Sequence, residues 1–250
     1  MMYNPYSLEG KRILVTGASS GIGRATAIEC SRLGANVIIT ARNEERLSET
    51  LSMLEGDGHE FRMCDLNNTE AIKEMVQSLP EVHGLVNNAG TNQQAPVPFI
   101  KDEILSNILH VNTIAPILLT SLMVKKKKLT KGASVVFTNS ISGLGKISTG
   151  NTMYATSKGA ITSFVMGAAK ELAEKGIRVN AVCPGMVETD FIAHHVVASE
   201  ELLDADRKSY PLKRYGRPEE IAWAITYLLS DATAWMTGTN IVIDGGRNLK

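Results

Sequence analysis

Tyr154 and Lys158 stand four residues apart at the start of a helical pattern, so their side chains leave one face of the helix, one turn apart. A phenol beside an ammonium suits a particular chemistry: protonation of a carbonyl oxygen while a hydride reaches the carbon. The phenol can supply the proton, although its ordinary pKa of about 10 is high for that task. The ammonium, helped by the positive charge of an oxidised nicotinamide, stabilises the phenolate. The same spacing occurs on many helices that do no chemistry, so what precedes it decides its meaning.

What precedes it is a glycine-rich turn. Thr16-Gly17-Ala18-Ser19-Ser20-Gly21-Ile22-Gly23 follows an apolar strand pattern and opens an amphipathic helix. Glycines there allow a tight turn, a close backbone approach to phosphate and close helix–strand packing. The helix N-terminus then offers free N–H groups and a positive dipole end to a pyrophosphate. An NAD-binding chain carries an acid about 20 residues further on, for the ribose 2′-hydroxyl; here Thr40-Ala41-Arg42-Asn43 occupies that place. A carboxylate would repel a 2′-phosphate, whereas a guanidinium forks onto it, so Arg42 favours NADP(H). The alternative is that Arg42 begins a solvated helix, with Glu45 or Glu49 as its partner. Asp65-Leu66 ends the third strand pattern and Asn87-Asn88-Ala89-Gly90 the fourth, positions at which open α/β sheets bind ligands.

The elements that must position these groups alternate. Strand patterns fall at Arg12–Thr16, Asn36–Thr40, Glu60–Cys64, Gly84–Asn87, Ser134–Thr138, Ile177–Val182 and Asn240–Asp244. Most are continuous apolar runs, as in strands buried on both faces of a parallel sheet. Helical patterns lie between them at Ile22–Leu33, Glu44–Leu54, Thr69–Ser78, Lys101–Lys126, Tyr154–Lys175 and Glu219–Leu229. The expected fold is therefore α/β: a Rossmann-type, doubly wound parallel sheet of about seven strands flanked by helices. No repeat or composition shift divides it, so residues 1–250 read as a single domain for dinucleotide binding and catalysis. The segment from Glu188 to Pro218 reads as long, polar and irregular, and could fold as a lid.

The 250 residues are 44% hydrophobic and 21% charged, with 26 basic and 26 acidic side chains balancing to zero. Neutrality gives no reason to expect nucleic acid or an anionic membrane as a partner. The N-terminal residues lack the apolar core of a signal peptide. The longest nearly apolar stretch, Ile114 to Val124, is too short to span a bilayer. Cys30, Cys64 and Cys183 lie in apolar segments and read as reduced core thiols of a cytoplasmic protein. No metal site is expected: His194 and His195 are adjacent and point about 100° apart on a helix, with no further ligand cluster.

Thr16–Gly23, Asn87–Gly90, Tyr154-x-x-x-Lys158 and Pro184-Gly185, in this order, resemble the classical short-chain dehydrogenase/reductase family. The likeness runs from Ser7-Leu8-Glu9-Gly10-Lys11 to Asp244-Gly245-Gly246. It implies an NADP-dependent oxidoreductase acting on CH–OH groups, usually a homotetramer built through the two long helices and the C-terminal strand and helix. It implies Tyr154 as general acid in reduction and base in oxidation, with Lys158 tuning it and binding the nicotinamide ribose. Ser140 would hydrogen-bond the substrate oxygen, and Asn112 would hold a water that passes protons through Lys158. Ser142 stays open beside Ser140, because the interval to the tyrosine is one residue longer than the family's usual one. Asn112 also fits a helix cap or a kink. The implied cofactor contacts are Gly17, Ser19, Ser20, Gly21, Ile22, Gly23, Arg42, Asp65, Leu66, Asn88, Ala89, Gly90, Tyr154, Lys158, Pro184 and Gly185. After the Pro-Gly pair, Val187 and Thr189 would hold the carboxamide.

Within the family the resemblance is closest to the 3-oxoacyl-(acyl-carrier-protein) reductase type of fatty acid biosynthesis, through Glu188-Thr189-Asp190, Thr237-Gly238 and Gly216-Arg217-Pro218-Glu219-Glu220. Such reductases dock an acidic carrier on basic residues near the active-site mouth, for which Lys125–Lys128 and Lys175 are candidates. A lysine-rich helix end is also what the helix dipole favours in any protein. Ser20 replaces an arginine often found in the glycine turn. A reductase of a free sugar, polyol or other small carbonyl shares the same motifs, and a non-catalytic NADP-binding regulator is a third reading. Substrate choice would reside in Gly143–Met153 and in the Glu188–Pro218 segment.

Overall fold

The computed structural model describes residues 4–189 and 199–249. Seven strands form one parallel sheet in the order β3-β2-β1-β4-β5-β6-β7. They are β1 (Arg12–Thr16), β2 (Asn36–Ala41), β3 (Glu60–Met63), β4 (Val82–Asn87), β5 (Leu129–Thr138), β6 (Arg178–Pro184) and β7 (Asn240–Ile243). β5 begins five residues before the predicted Ser134. Its first turn of chain is polar on one side, and the ladder to β4 shifts register between Val82 and Gly84, which hides the strand from a search for apolar runs.

Helices cover both faces, as the doubly wound reading requires. On one side α3 (Thr69–Ser78), α5 (Ala115–Lys125) and α6 (Thr152–Leu172) pack Ile72, Leu119 and Val165 against Leu85, Val135 and Val179. On the other, α1 (Gly21–Arg32), α2 (Glu44–Ser52) and α8 (Pro218–Leu229) pack Ala27, Leu47 and Ile225 against Val15, Ile39 and Val136. Ile161, Val165 and Ala168 of α6 are buried, and Phe164 packs against them. The three cysteines are buried and unpaired.

The predicted helix Lys101–Lys126 is continuous but not uniform. α4 (Asp102–Leu109) runs into a π turn at His110–Ile114 and then into α5. Together, Asp102–Lys125 is by length and composition alone long and apolar enough to cross a membrane, which the shorter run from Ile114 concealed. Here its inner side, Ile108, Ala115, Leu119 and Met123, is buried in the protein.

The segment expected to be irregular contains α7 (Glu200–Ser209). Its capping signals are ordinary: Ser199 accepts from the Leu202 N–H, with Glu200 and Glu201 in the first turn and Arg207 and Lys208 in the last. It buries no side chain, so the apolar periodicity that marks helices is missing. His194, His195, Asp190 and the remainder of 190–198 lie outside the described residues.

Phe137 in β5 is 1% exposed and meets Phe164 of α6 edge-on, with ring centroids 5.7 Å apart. Phe137→Ala is expected to lower stability by about 3–5 kcal/mol in denaturant unfolding. A loss below about 1 kcal/mol would contradict this packing.

Candidate active site

The sheet order reverses between β1 and β4, so their carboxyl ends part and leave a crevice. A cleft of about 830 Å³ opens there. The chain between β1 and α1 forms its floor. Gly17 and Gly21 have φ of 64° and 52°, a left-handed region that glycine enters without strain. A Cβ on Gly17 would stand 2.7 Å from the Ala89 Cα, and one on Gly23 would stand 2.2 Å from the Gly17 carbonyl oxygen. The missing side chains therefore let the turn, α1 and the end of β4 close on one another. Ser20 occupies the N-cap of α1 but makes no side-chain cap bond, so the first N–H groups of the helix face the cleft without that partner.

Asn88 joins the two strands. Its Nδ2 donates to the carbonyls of Thr16 (3.1 Å) and Gly17 (3.3 Å). The N–H groups of Asn88 and Ala89 donate to Thr16 Oγ1 at 3.0 and 3.1 Å. Asn88 lines the cleft, but its amide is engaged by the turn. Thr189 sits on the opposite side, its methyl 3.2 Å from where a Cβ of Gly21 would be.

Beyond β2, Arg42 and Arg46 line the far end of the cleft. Neither guanidinium has a hydrogen-bond or ion-pair partner among the described residues. Glu49, one of the two acids expected to claim Arg42, is taken by Arg24 at 2.8 Å. This donor set fits a phosphorylated dinucleotide: an uncapped helix end at a glycine cradle, with unpaired cations beyond it. Arg46 was not singled out in the sequence. It lies four residues past Arg42, in the first turn of α2, at a position that looks like an ordinary surface site.

Ser140 caps a short 3₁₀ turn after β5 and accepts from the Ser142 N–H at 3.1 Å. Its side chain also hydrogen-bonds the Tyr154 phenol. Of the two serines left open by the sequence, Ser140 is thus the one paired with the tyrosine, and Ser142 contributes its backbone. Lys158 Nζ lies 5.6 Å from the centre of the Tyr154 ring and donates to the Thr138 carbonyl at 2.8 Å.

The electrostatics differ from the simple expectation. Burial pushes the Tyr154 phenol up to about 12, partly opposed by the Ser140 hydrogen bond. Burial pushes Lys158 down to about 8, and the nearby Cys183 works against that. In the protein by itself, loss of hydration thus outweighs the pull of ammonium on phenolate, and the phenol stays protonated.

Nearly all the predicted site residues line this one cleft: Ser140, Tyr154 and Lys158, Gly17 and Ser19 to Ile22 in the turn, Arg42, Asp65, Leu66, Asn88 to Gly90, and Pro184, Gly185, Val187 and Thr189. Gly23 and Asn112 do not. Gly23 stands behind the turn, where it permits close packing. Asn112 is 1% exposed and sits in the π turn, where the extra residue swings it towards the loop after β4. Its Nδ2 donates to the Thr91 carbonyl and to Ser157 Oγ, while its Oδ1 accepts from the Thr91 N–H at 2.8 Å. Both amide hydrogens are therefore engaged within the protein.

The Glu188–Pro218 segment was expected near the substrate, but no residue in it was singled out for that contact; it and the tail after β7 bring Asp206, Tyr210, Tyr215 and Arg247 into the wall. Arg247 pairs with Asp206 at 2.8 Å and stacks over Tyr210, whose hydroxyl accepts from the Met186 N–H. Lys125 and Lys175, proposed to flank the mouth, instead border a separate hollow at the amino ends of β5 and β6. A helix that returns to the start of a parallel strand must end at that edge, away from the cleft in this chain.

In the unfolded chain Lys158 titrates at its ordinary 10.5, and in the folded protein at about 8. Below 8 both states hold the proton, and the full penalty of burying the ammonium is present. Between about 8 and 10.5 only the unfolded chain keeps it, so rising pH favours folding across that window. The stability of wild type relative to Lys158→Met should increase from pH 7 to 10 in denaturant titrations. A difference that does not change with pH would refute the buried ammonium.

Residues 17–248 match the family model described as enoyl-(acyl carrier protein) reductase, of the short-chain alcohol dehydrogenase type. The 3-oxoacyl-(acyl-carrier-protein) reductase FabG of Thermotoga maritima is 36% identical over 249 residues, covering 96% of this chain and 98% of the relative. Among solved structures, the Pseudomonas aeruginosa RhlG/NADP active-site complex superposes with a TM-score of 0.91 at 30% identity, covering 99% of this chain and all of that one. A putative NAD(P)-dependent gluconate 5-dehydrogenase from Beutenbergia cavernae, with bound NADP, gives 0.88 at 29% identity, covering 99% of this chain and 100% of that one. A reversing parallel sheet, a glycine turn bound to the end of β4 and a Ser–Tyr–Lys group on one cleft thus accompany likeness over almost the full length, and the chain belongs to the short-chain dehydrogenase/reductase family of oxidoreductases.

Proposed function

We propose that this protein reduces a carbonyl to an alcohol with NADPH, in one domain that both binds the nucleotide and performs the chemistry. The observation that carries the proposal is the Ser140–Tyr154–Lys158 group in the same cleft as the glycine turn. When bound, NADPH supplies the hydride that reduces the carbonyl carbon. The phenolic proton of Tyr154 goes to the oxygen, which leaves as the hydroxyl of the product. Burial that keeps the phenol protonated suits this direction. Ser140, beside the phenol, holds the carbonyl oxygen in reach of it. Lys158 borders the phenolate that remains and helps return its proton. Asn112 acts at one remove, by fixing Thr91 and Ser157 around the pair. Pro184, Gly185, Val187 and Thr189 form the side on which the nicotinamide amide would rest.

NADP(H), in preference to NAD(H), follows from the unpaired Arg42 and Arg46 and from the neighbours solved with NADP. For the substrate, the Thermotoga relative supports a 3-oxoacyl group on acyl carrier protein, in fatty acid synthesis. The Beutenbergia neighbour supports a sugar acid or polyol. The second reading has an observation of its own: the polar side chains of Asn92, Gln94, Ser142, Ser148 and Asn151 line the same cleft as Tyr154. A homotetramer in the cytoplasm accompanies the proposal and is checked by light scattering and cell fractionation.

Tyr154→Phe should lower kcat for NADPH oxidation by about 10²–10⁴ while NADPH binding, followed by nucleotide fluorescence, persists. A variant with full activity would remove the phenol from the mechanism. Wild type should bind NADPH more tightly than NADH, and Arg42→Ala should cost roughly tenfold to a hundredfold in NADPH affinity while sparing NADH. Equal affinity of wild type for the two nucleotides would refute the role of Arg42.

A further inference from the structure

Arg24 joins the glycine turn to helix α2. Its Nη2 donates to the Ser19 carbonyl at 2.7 Å, and its Nε donates to Thr50 Oγ1 at 3.0 Å. Nη1 and Nη2 also fork onto the two carboxylate oxygens of Glu49, at 3.2 and 2.8 Å. Thr50 is buried, and its hydroxyl lies 3.0 Å from the carbonyls of both Ala18 and Arg46. One guanidinium therefore fixes α2 against the chain that opens α1.

The place of Glu49 gives this contact a further consequence. Ser19, Arg42 and Arg46 line the cleft, and Arg46 and Glu49 are three residues apart on α2. At that spacing side chains are neighbours on the helix surface, and an acid and a base there attract each other. The bidentate contact with Arg24 is the stronger one, and it holds the carboxylate instead. As a source of stability, a pair whose side chains are 23% and 51% exposed counts for little. Its effect on charge matters more. Without Arg24, the carboxylate beside Arg46 would both occupy that cation and repel a phosphate.

We infer that Arg24 is a positioning residue for nucleotide choice: by forking onto Glu49 it leaves Arg46, together with Arg42, free to take the 2′-phosphate of NADPH. The inference rests on the NADPH preference proposed above. Arg24 is not among the residues that line the cleft, so it acts through Glu49. NADH carries a hydroxyl where NADPH carries the phosphate, and a carboxylate accepts from that hydroxyl instead of repelling it. Releasing Glu49 therefore weakens NADPH and spares NADH.

The test uses the full chain and measures Kd for NADPH and for NADH by nucleotide fluorescence. Arg24→Met keeps the apolar stem and removes the fork. It should lower the preference for NADPH over NADH by about three- to tenfold, a loss that shrinks in about 0.5 M salt. Adding Glu49→Gln should return the preference to within about twofold of wild type, because the misplaced charge is then gone. A clamp with a merely structural role would not be rescued by removing its second half. Glu49→Gln alone should keep the wild-type preference. If Arg24→Met does not fold, Arg24→Gln, which can still donate to a carbonyl, takes its place with the same expected results. A preference unmoved in the folded variant, or a loss that Glu49→Gln does not restore, overturns the inference and leaves NADPH-dependent reduction standing. Equal affinity of wild type for the two nucleotides overturns the NADPH preference and this inference together.

Discussion

The site depends on how closely two strand ends approach at the point where the sheet reverses. The space for a Cβ at Gly17 is filled by the Ala89 backbone, and at Gly23 by the Gly17 carbonyl. Because nothing projects there, the turn after β1 lies directly against the end of β4, and Asn88 and Thr16 bind across the seam. This seam makes one surface of two distant parts of the sequence. It aims the amino end of α1 into the same cleft that Tyr154 and Lys158 enter from the far side of the sheet.

Around that cleft, hydration decides the protonation states more than charge pairing does. Tyr154 and Lys158 are driven in opposite directions by the same cause, since burial penalises phenolate and ammonium alike. The result is a neutral phenol next to an amine that ionises near physiological pH. Cys183, itself raised to about 11 by burial, stays a thiol beside them.

A second layer of polar residues holds the first without entering the cleft. Asn112 engages Thr91 and Ser157, and Thr113 Oγ1 donates to the Ser157 carbonyl at 2.9 Å. The π turn at His110–Ile114 makes this possible, since one added residue rotates Asn112 out of the regular helical face. On the nucleotide side, Arg24 binds Glu49 and the Ser19 carbonyl, which steadies the turn and leaves Arg42 unpaired. The tyrosine pair beside α7 is fixed in a similar way: Arg207 stacks on Tyr215, and Tyr215 donates to Asp206.

The order of strands and helices, the glycine turn and the Tyr-Lys pair were legible in the residues alone, because each is a local pattern. Apolar runs mark strands buried on both faces, glycine marks the turn, and a spacing of four marks one helical face. What stayed hidden depends on partners remote in the chain. Ser140 differs from Ser142 only in facing Tyr154, and Asn112 acts on Thr91 through a helical defect with no sequence signature. Helix α7 has caps but no buried face, and periodicity cannot report a helix that buries nothing. Arg46 looks like an ordinary surface residue until the fold leaves it without a counter-charge in the wall of the cleft. The sequence by itself determined the kind of chemistry, because that resides in side-chain types at short spacings. Only the tertiary structure decided which polar groups were left free to meet a ligand, because that depends on which of them the rest of the protein had already satisfied.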